Sequence, residues 1–470
     1  MAHLILWNTL NIPHAPVRPA ACHYLASWLR QHGHAVKVID FCSLMSTQDL
    51  VNITLKNIRS NTVAVGVSST FWKRGADNYT QPGEPQWVLD ARRIVQQKHL
   101  NLDWVLGGSN THTRNLKFAW QLLHGHAEDS LLVYMNEKTT KQYQQSKFDI
   151  ATAHIQYGAD LGLQSTESLP LEMSRGCQFK CTFCGYPLIG KKKGTYLKGF
   201  DLTERELLMN YEEYGITKYA VLDDTFNESD EKVQAMADIA QRLPFKLEWA
   251  GYNRLDLIGS KKHTIQTLKD AGLRSAFFGI ESFHKDASKI VGKGWNGIHG
   301  KDFLLELKKQ WGRDVNFHLS FIVGLPGETE EDIHISHQWC KDNNMPSWNY
   351  NGLQLRRGGQ PEEMEWASEF SKNSSQYGFK FPHPLKDSYW ENGTWNVQTA
   401  EKKANELTND ARAFGLYPTS WRLNELSTLG FSFDELMNKK ENEFDYSDLN
   451  KRNRAFVQTY VDFQMKWNDN

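Results

Sequence analysis

The sequence predicts an α/β protein in three parts: an N-terminal doubly wound parallel sheet, a central partial (β/α) barrel of roughly six strands, and a C-terminal mainly helical region. Three observations carry this. From residue 1 to about 145, short apolar runs alternate with segments of helical spacing. From 170 to about 355 a second strand–helix series follows, each strand ending in a polar or glycine turn. Beyond 356 the strands fade, and Asn, Lys, Glu and Trp become common. A chain of 470 residues suits two or three domains, and 40% hydrophobic residues can fill sizeable cores.

In the first part, strands are expected at 3–8, 35–40 (Ala-Val-Lys-Val-Ile-Asp), 62–67 (Thr-Val-Ala-Val-Gly-Val) and 102–106. The third is continuously apolar, as a central parallel strand should be. Helices are expected at 20–32, where Leu25, Trp28 and Leu29 share a face, at 50–60 and at 85–99. Ligands on such sheets sit beyond the carboxyl ends of the strands. The loops there are Asn8–Arg18, Ser68–Gly75 and Gly107–Arg114. Residues 146–169 have no clear period and read as a connector.

In the second part the strands are expected at 168–173, 218–222, 246–252, 274–280 and 318–323. The helices between and after them are expected at 202–214, 229–242, 264–271 and 330–343. Thr203 with Glu206 has capping-box spacing for the first of these helices. Working residues of a barrel lie at the carboxyl ends of its strands. Those turns hold Asp223-Asp224-Thr-Phe, Asn253-Arg254-Leu-Asp256, Glu281-Ser282 and Gly324-Leu-Pro-Gly-Glu328. In the third part, 399–414, 432–441 and 448–468 read as amphipathic helices. Residues 356–470 are expected to cap the barrel and shape its pocket. Trp72, Tyr252, Trp295, Tyr350 and Arg356 are candidates for lining that pocket, and equally for core or surface.

The formal charge of −1 gives no global attraction to nucleic acid or an anionic membrane. Lys191-Lys192-Lys193 reads as a solvated loop. No run of 18 apolar residues occurs, so no membrane span is expected, and the first residues read as a buried strand. Cys22, Cys42 and Cys340 are scattered and read as free buried thiols, which suits a reducing cytoplasm.

The strongest signal is Cys177-Gln-Phe-Lys-Cys181-Thr-Phe-Cys184, a C-x3-C-x2-C loop. Three soft thiolates on one short loop can hold three irons of a 4Fe–4S cube and leave the fourth iron open to a ligand. Structural zinc is an alternative, but zinc sites of this type use a fourth ligand, and no second Cys pair is near. A disulfide reading suits neither the short spacings nor a chain without a secretory segment.

This spacing resembles that of the radical S-adenosylmethionine (SAM) superfamily, and Phe183 before the third cysteine fits too. The resemblance implies that Cys177, Cys181 and Cys184 carry the cluster and the catalysis. SAM would be chelated by the open iron and cleaved reductively to a 5′-deoxyadenosyl radical. It further implies Asp223 and Asp224 at the SAM amino group and Arg254 at a carboxylate of SAM or substrate. Glu281 and Ser282 would face the ribose and methionine part, with Ile322 and Gly324 at the adenine. An ion pair of Arg254 with Asp256 and a capping role for the Asp223-Asp224 pair are the structural alternatives. An external electron donor of flavodoxin or ferredoxin type is implied as well.

The first part resembles the cobalamin-binding, Rossmann-like domain often found before a radical SAM core. The resembling pieces are residues 19–40, Val65-Gly-Val-Ser68-Ser69, Leu106-Gly107-Gly108-Ser-Asn-Thr-His112 and Leu123-His-Gly-His-Ala-Glu-Asp129. There is no D-x-H-x-x-G segment, so no histidine is offered to cobalt from below. Ser68, Ser69, Gly107 and Gly108 are the candidate cobalamin contacts, since glycine lets a flat cofactor approach. A domain of this fold that binds no cobalamin is the alternative.

The resemblance thus divides the chain into a cobalamin-type domain (1–145), a connector (146–169), a radical SAM core (170–355) and a C-terminal region (356–470). It implies a cobalamin-dependent methyltransferase acting on an unactivated carbon of a small molecule or peptide. Three alternatives stand beside it: non-methylating radical chemistry, a cluster protein that only senses SAM, and a degenerate cofactor domain serving as a substrate clamp.

Overall fold

The computed structural model describes all residues except 10–15, 71, 73–82, 109–115, 124, 140–146, 187–189, 193, 295–296, 356, 358–366, 384–387 and 469–470, and only the backbone of 297–298. The chain forms two compact units. The first comprises residues 1–170, 201–216 and 446–470; the second comprises 171–200 and 217–445. Among the described residues no helix is long and apolar enough to cross a membrane.

The first unit is built on a five-stranded sheet of β1 (His3–Trp7), β2 (Ala35–Ile39), β3 (Thr62–Ser68), β4 (Asp103–Gly107) and β5 (Gln121–Leu122). The spatial order is β2-β1-β3-β4-β5, and every pair is parallel. The order reverses between β1 and β3, the crevice where such sheets bind ligands. Every residue of β1 is buried, as strands covered on both faces require. The helix expected at 50–60 runs Thr47–Asn57, because Ser46 caps it by accepting from the Asp49 amide. The short strand β5 and the helix Ala127–Glu137 are additions to the sequence reading.

The last helix, Tyr446–Lys466, belongs to this first unit. Its apolar spacing is spent on packing: Phe456 and Tyr460 meet the Phe41 ring edge-on at 5.5 and 5.1 Å. Tyr460 Oη accepts from the Asp40 amide at 2.9 Å. Beneath it, Arg18 is enclosed between Asp40 (2.5 Å) and Glu167 (2.6 Å). Burial opposes its charge, but the two carboxylates outweigh that and raise its pKa.

The second sheet contains β6 (Ser168–Leu171), β7 (Lys218–Val221), β8 (Glu248–Asn253), β9 (Leu273–Glu281), β10 (Asn316–Val323) and β11 (Ser347–Gly352). Its strands lie in sequence order, and the pairs from β7 to β11 are parallel. The unit boundary falls inside β6. Right-handed crossovers between successive neighbours put the connecting helices on one face. On that face Trp249 meets Phe226, Phe278 stacks on Trp311, and Trp348 contacts His337 and Phe414. The sequence reading had no strand at β11 and no helix at Gly297–Trp311. It also misplaced a cap: the helix expected from 202 starts at Phe200, so Thr203 lies inside it and is buried rather than capping.

Candidate active site

The cysteine loop leaves β6 through Glu172–Gly176, and Gly176 takes φ +86°, a turn that a side chain would disfavour. The loop closes on itself: the Cys184 amide donates to Cys181 O, the Gly190 amide to Phe179 O and the Lys191 amide to Cys177 O. Thr182 anchors it, donating to Ile290 O and accepting at its carbonyl from the Phe370 amide. Cys177, Cys181 and Cys184 are free thiols, each partly exposed, as is Phe183. Burial pushes Cys184 up to about 11, and its neighbours Cys181, Asp224 and Cys177 add to the push. Three such groups become thiolates together only beside strong positive charge, as a metal centre supplies. Among the described residues no trio of His, Cys, Asp or Glu is placed to hold a single metal ion. A cube differs from such a site in giving each cysteine its own iron.

Asp223 and Asp224 follow β7 and face opposite ways. Asp223 is fully buried. It accepts from the amides of Met173 (2.7 Å) and Ser174 (3.0 Å), the Ser174 hydroxyl (2.9 Å) and Lys232 Nζ (2.8 Å). Expected at the SAM amino group, it instead fixes the root of the cysteine loop, because its carboxylate has no free face. Lys232, which the sequence reading missed, is buried with it and also reaches Glu228 at 3.3 Å. Asp224 is exposed, but into a recess ringed by protein. Burial in that recess, then Asp223 and Glu172, raise its pKa to about 6, with Lys191 pulling the other way.

Arg254 follows β8 and is buried. Its guanidinium forks onto Asp256 at 2.9 and 2.6 Å, lies 3.9 Å over the Phe179 ring, and donates to Cys181 Sγ at 3.6 Å. The pairing with Asp256 weighed from sequence is present, but within the site rather than on the surface. Burial opposes both charges; their mutual hydrogen bonding and attraction outweigh it, raising Arg254 and lowering Asp256.

β9 ends in a bulge, where pairing with β10 shifts at Ser320/Phe321. There Glu281 sits at φ +64°, a strained setting for a non-glycine residue. Its carboxylate meets Lys293 at 3.1 Å. A Cβ at Gly279 would lie 2.3 Å from Glu281 Oε1, so this glycine makes room for the pair. Ser282 donates to Glu328, a buried carboxyl raised to about 8 by burial, against the pull of that hydrogen bond. Arg254, Asp256, Gly279, Ser282, Phe283 and Lys293 share the lining of one cleft. Lys293, Phe179 and Glu328 were not singled out from sequence, although Glu328 stands inside a turn that was.

At the end of β10, Ile322 is 9% exposed. The conformation of Gly324 (φ +107°) is demanded by packing: a Cβ would lie 2.6 Å from Trp390, and its carbonyl already accepts from Asn392.

In the first unit, Ser68 is partly exposed at the end of β3. Ser69 is buried, its hydroxyl and amide both donating to Gly107 O at 2.8 Å. A Cβ at Gly108 would lie 2.5 Å from Thr70 Oγ1 and 2.8 Å from its amide, while Gly107 opens onto free space. Ser69 and Gly108 therefore tie two strand ends together, and Ser68 and Gly107 hold the open positions. Most of the loops beyond them lie outside the described residues, as do the pocket candidates Trp295 and Arg356. Trp72 and Tyr350 are buried.

Residues 171–340, the stretch that carries the cysteine loop and all four strand-end turns, match the radical SAM superfamily. They form a radical SAM domain. Over 175 residues, 36% of this chain and 35% of the other, the sequence is 29% identical to an uncharacterized methyltransferase of Pyrococcus horikoshii. Over 169 residues it is 27% identical to the ribosomal protein uS12 methylthiotransferase RimO of Koribacter versatilis, covering 35% of this chain and 33% of that one. The match thus spans about a third of the length of these relatives. The fold extends beyond the radical SAM domain. The structure of TsrM, a radical SAM methyltransferase from Kitasatospora setae with cobalamin and a [4Fe–4S] cluster bound, aligns with a TM-score of 0.63 at 15% identity. That alignment covers 98% of this chain and 100% of TsrM.

Proposed function

We propose that the chain is a cobalamin-dependent radical SAM methyltransferase acting on an unactivated carbon. The observation that carries the radical part is the convergence, in one domain, of three free cysteines with the Arg254–Asp256 fork, the open Asp224 and the Glu281 bulge. The cobalamin part rests on the full-length likeness in fold to TsrM and on the two open strand-end residues, Ser68 and Gly107.

Cys177, Cys181 and Cys184 would hold a 4Fe–4S cluster, which supplies the electron for reductive cleavage of SAM, while cobalamin carries the methyl group. Around it, Arg254 donates to Cys181 Sγ, and hydrogen bonds to sulfur tune a cluster's potential. Asp224 offers a carboxylate to the SAM ammonium, whose charge would bring its pKa back down. Glu281 and Ser282 stand at the bulge for the ribose and methionine part, and Ile322 offers an apolar surface to the adenine. The reducing electron comes from an external donor of flavodoxin or ferredoxin type.

The internal roles of Ser69 and Gly108 favour a second reading, radical chemistry without methyl transfer on a fold that has lost cobalamin. Anaerobic reconstitution with iron, sulfide, SAM and hydroxocobalamin separates the two. The first reading expects bound cobalamin absorbance together with 5′-deoxyadenosine under dithionite, and loss of the nucleoside in Cys181→Ala. Cleavage without retained cobalamin would leave the second, and no cleavage would refute both.

A further inference from the structure

We infer that the face of the second sheet turned away from its helices is built to take a flat, uncharged heteroaromatic substrate with a lactam-like edge. This deepens the proposed function and rests on it for the location of the chemistry.

Strand alternation sorts the side chains. Trp249, Phe278, Leu319 and Trp348 point to the helices and are fully buried. Their alternates form a cross-strand row on the other face, where Tyr252 pairs with Phe277, Phe277 with His318, and His318 with Ser347. Tyr252, Phe277 and His318 are all partly exposed, although they lie on central strands. They form a continuous aromatic wall: Tyr252 meets Phe277 at 4.7 Å, and Phe277 stacks on the His318 ring at 4.9 Å. The amino end of this face is closed. The Ser420 amide donates to Ser275 Oγ, and the Trp421 indole donates to Tyr252 Oη at 2.9 Å. A partly exposed aromatic wall is a surface that a planar ring would cover.

The polar groups beside the wall are oriented. Burial holds His318 neutral, near 4, against the pull of Asn349. With Ser347 Oγ on Nδ1 and Asn349 Oδ1 on Nε2, both at 2.8 Å, the ring donates from Nε2 to the Asn349 oxygen. That commits the oxygen and turns the Asn349 amide hydrogens toward Asn351 Oδ1, at 3.4 Å. Asn351, exposed at the end of β11, in turn donates to Ser320 Oγ at 3.1 Å. The 3.4 Å link is the weak point of the chain. A lactam placed there would accept at its carbonyl from Asn349 and donate its N–H to Asn351 Oδ1. Charged groups enter from the next row on, as Asp224, Arg254 and the Glu281–Lys293 pair beside Gly279, and of these Arg254, Glu281 and Lys293 are already paired.

The test uses the full chain, reconstituted with cluster and SAM, and three probes: 2-quinolone, δ-valerolactam (the same edge without the arene) and quinoline-2-carboxylate (the arene with a charge). 2-Quinolone is expected to bind at least about tenfold more tightly than either control. Asn349→Ala and Phe277→Leu are each expected to weaken it about tenfold with SAM affinity unchanged. Exposed Asn351→Ala, which perturbs no core, is expected to weaken it several-fold. Equal binding of all three probes, or indifference to these substitutions in protein that still binds SAM, would overturn the inference. Failure of the wild type to cleave SAM would count against the proposed function alone.

Discussion

Asp223 and Asp224 are adjacent and chemically alike, yet beyond the end of β7 one turns into the core and the other into the recess. Removing the Asp223 charge leaves buried Lys232 short of a partner, so Asp223→Asn is expected to lower unfolding free energy by about 3 kcal/mol. Asp224→Asn is expected to change it by less than about 0.5 kcal/mol while weakening SAM binding. Urea titration with SAM binding on the same samples checks both. Glu328 adds a pH signature. Its folded pKa of about 8 lies above the ordinary 4.5, so the folded state holds the proton more tightly. That contribution is complete below about 4.5 and is lost as pH rises through about 8. Urea midpoints of Glu328→Gln are therefore expected to fall less than the wild type's between pH 6 and 9. The chemical identity of these residues was legible in the sequence. Their division of labour was not, because it depends on Lys232, nine residues on, and on Ser282 meeting Glu328 across two strands.

At the scale of elements, the cysteine loop and each strand-end turn could be read directly, since spacing and glycine or carboxylate punctuation are local signals. Boundaries moved where caps outweighed apolar spacing, as Ser46 did for the helix Thr47–Asn57. Strand β11 escaped notice because Ser-Trp-Asn-Tyr-Asn-Gly carries polar residues on its open face. The link between β8 and the loop depends on Arg254, whose fork onto Asp256 sets its guanidinium over Phe179 and against Cys181. Arg254→Leu strands the Asp256 carboxylate and is expected to destabilise the second unit by about 3 kcal/mol. Arg254→Lys keeps the charge but loses the fork, and should recover only part of that. Denaturant unfolding of the two variants against wild type measures the difference.

At the scale of the whole molecule, two parallel α/β sheets in one chain were foreseen from alternating strand and helix patterns. The return of the last helix was not, because its partners Asp40 and Phe41 lie some 420 residues away in sequence. Deleting 446–470 strips Leu449, Phe456, Tyr460 and Val461 from the first unit's core. At about 1.5–3 kcal/mol for each large side chain, the loss rivals a domain's whole stability. The truncated chain is expected to lose the first unit's unfolding transition in calorimetry and to bind a hydrophobic dye. The chemistry rests on a cluster with one iron left free for SAM. Electron paramagnetic resonance of the anaerobically reconstituted, dithionite-reduced chain, recorded before and after SAM, reads that directly. The expected result is a reduced 4Fe–4S signal whose g-values shift on addition of SAM; a preparation without iron, or a signal that saturating SAM leaves unmoved, would contradict it.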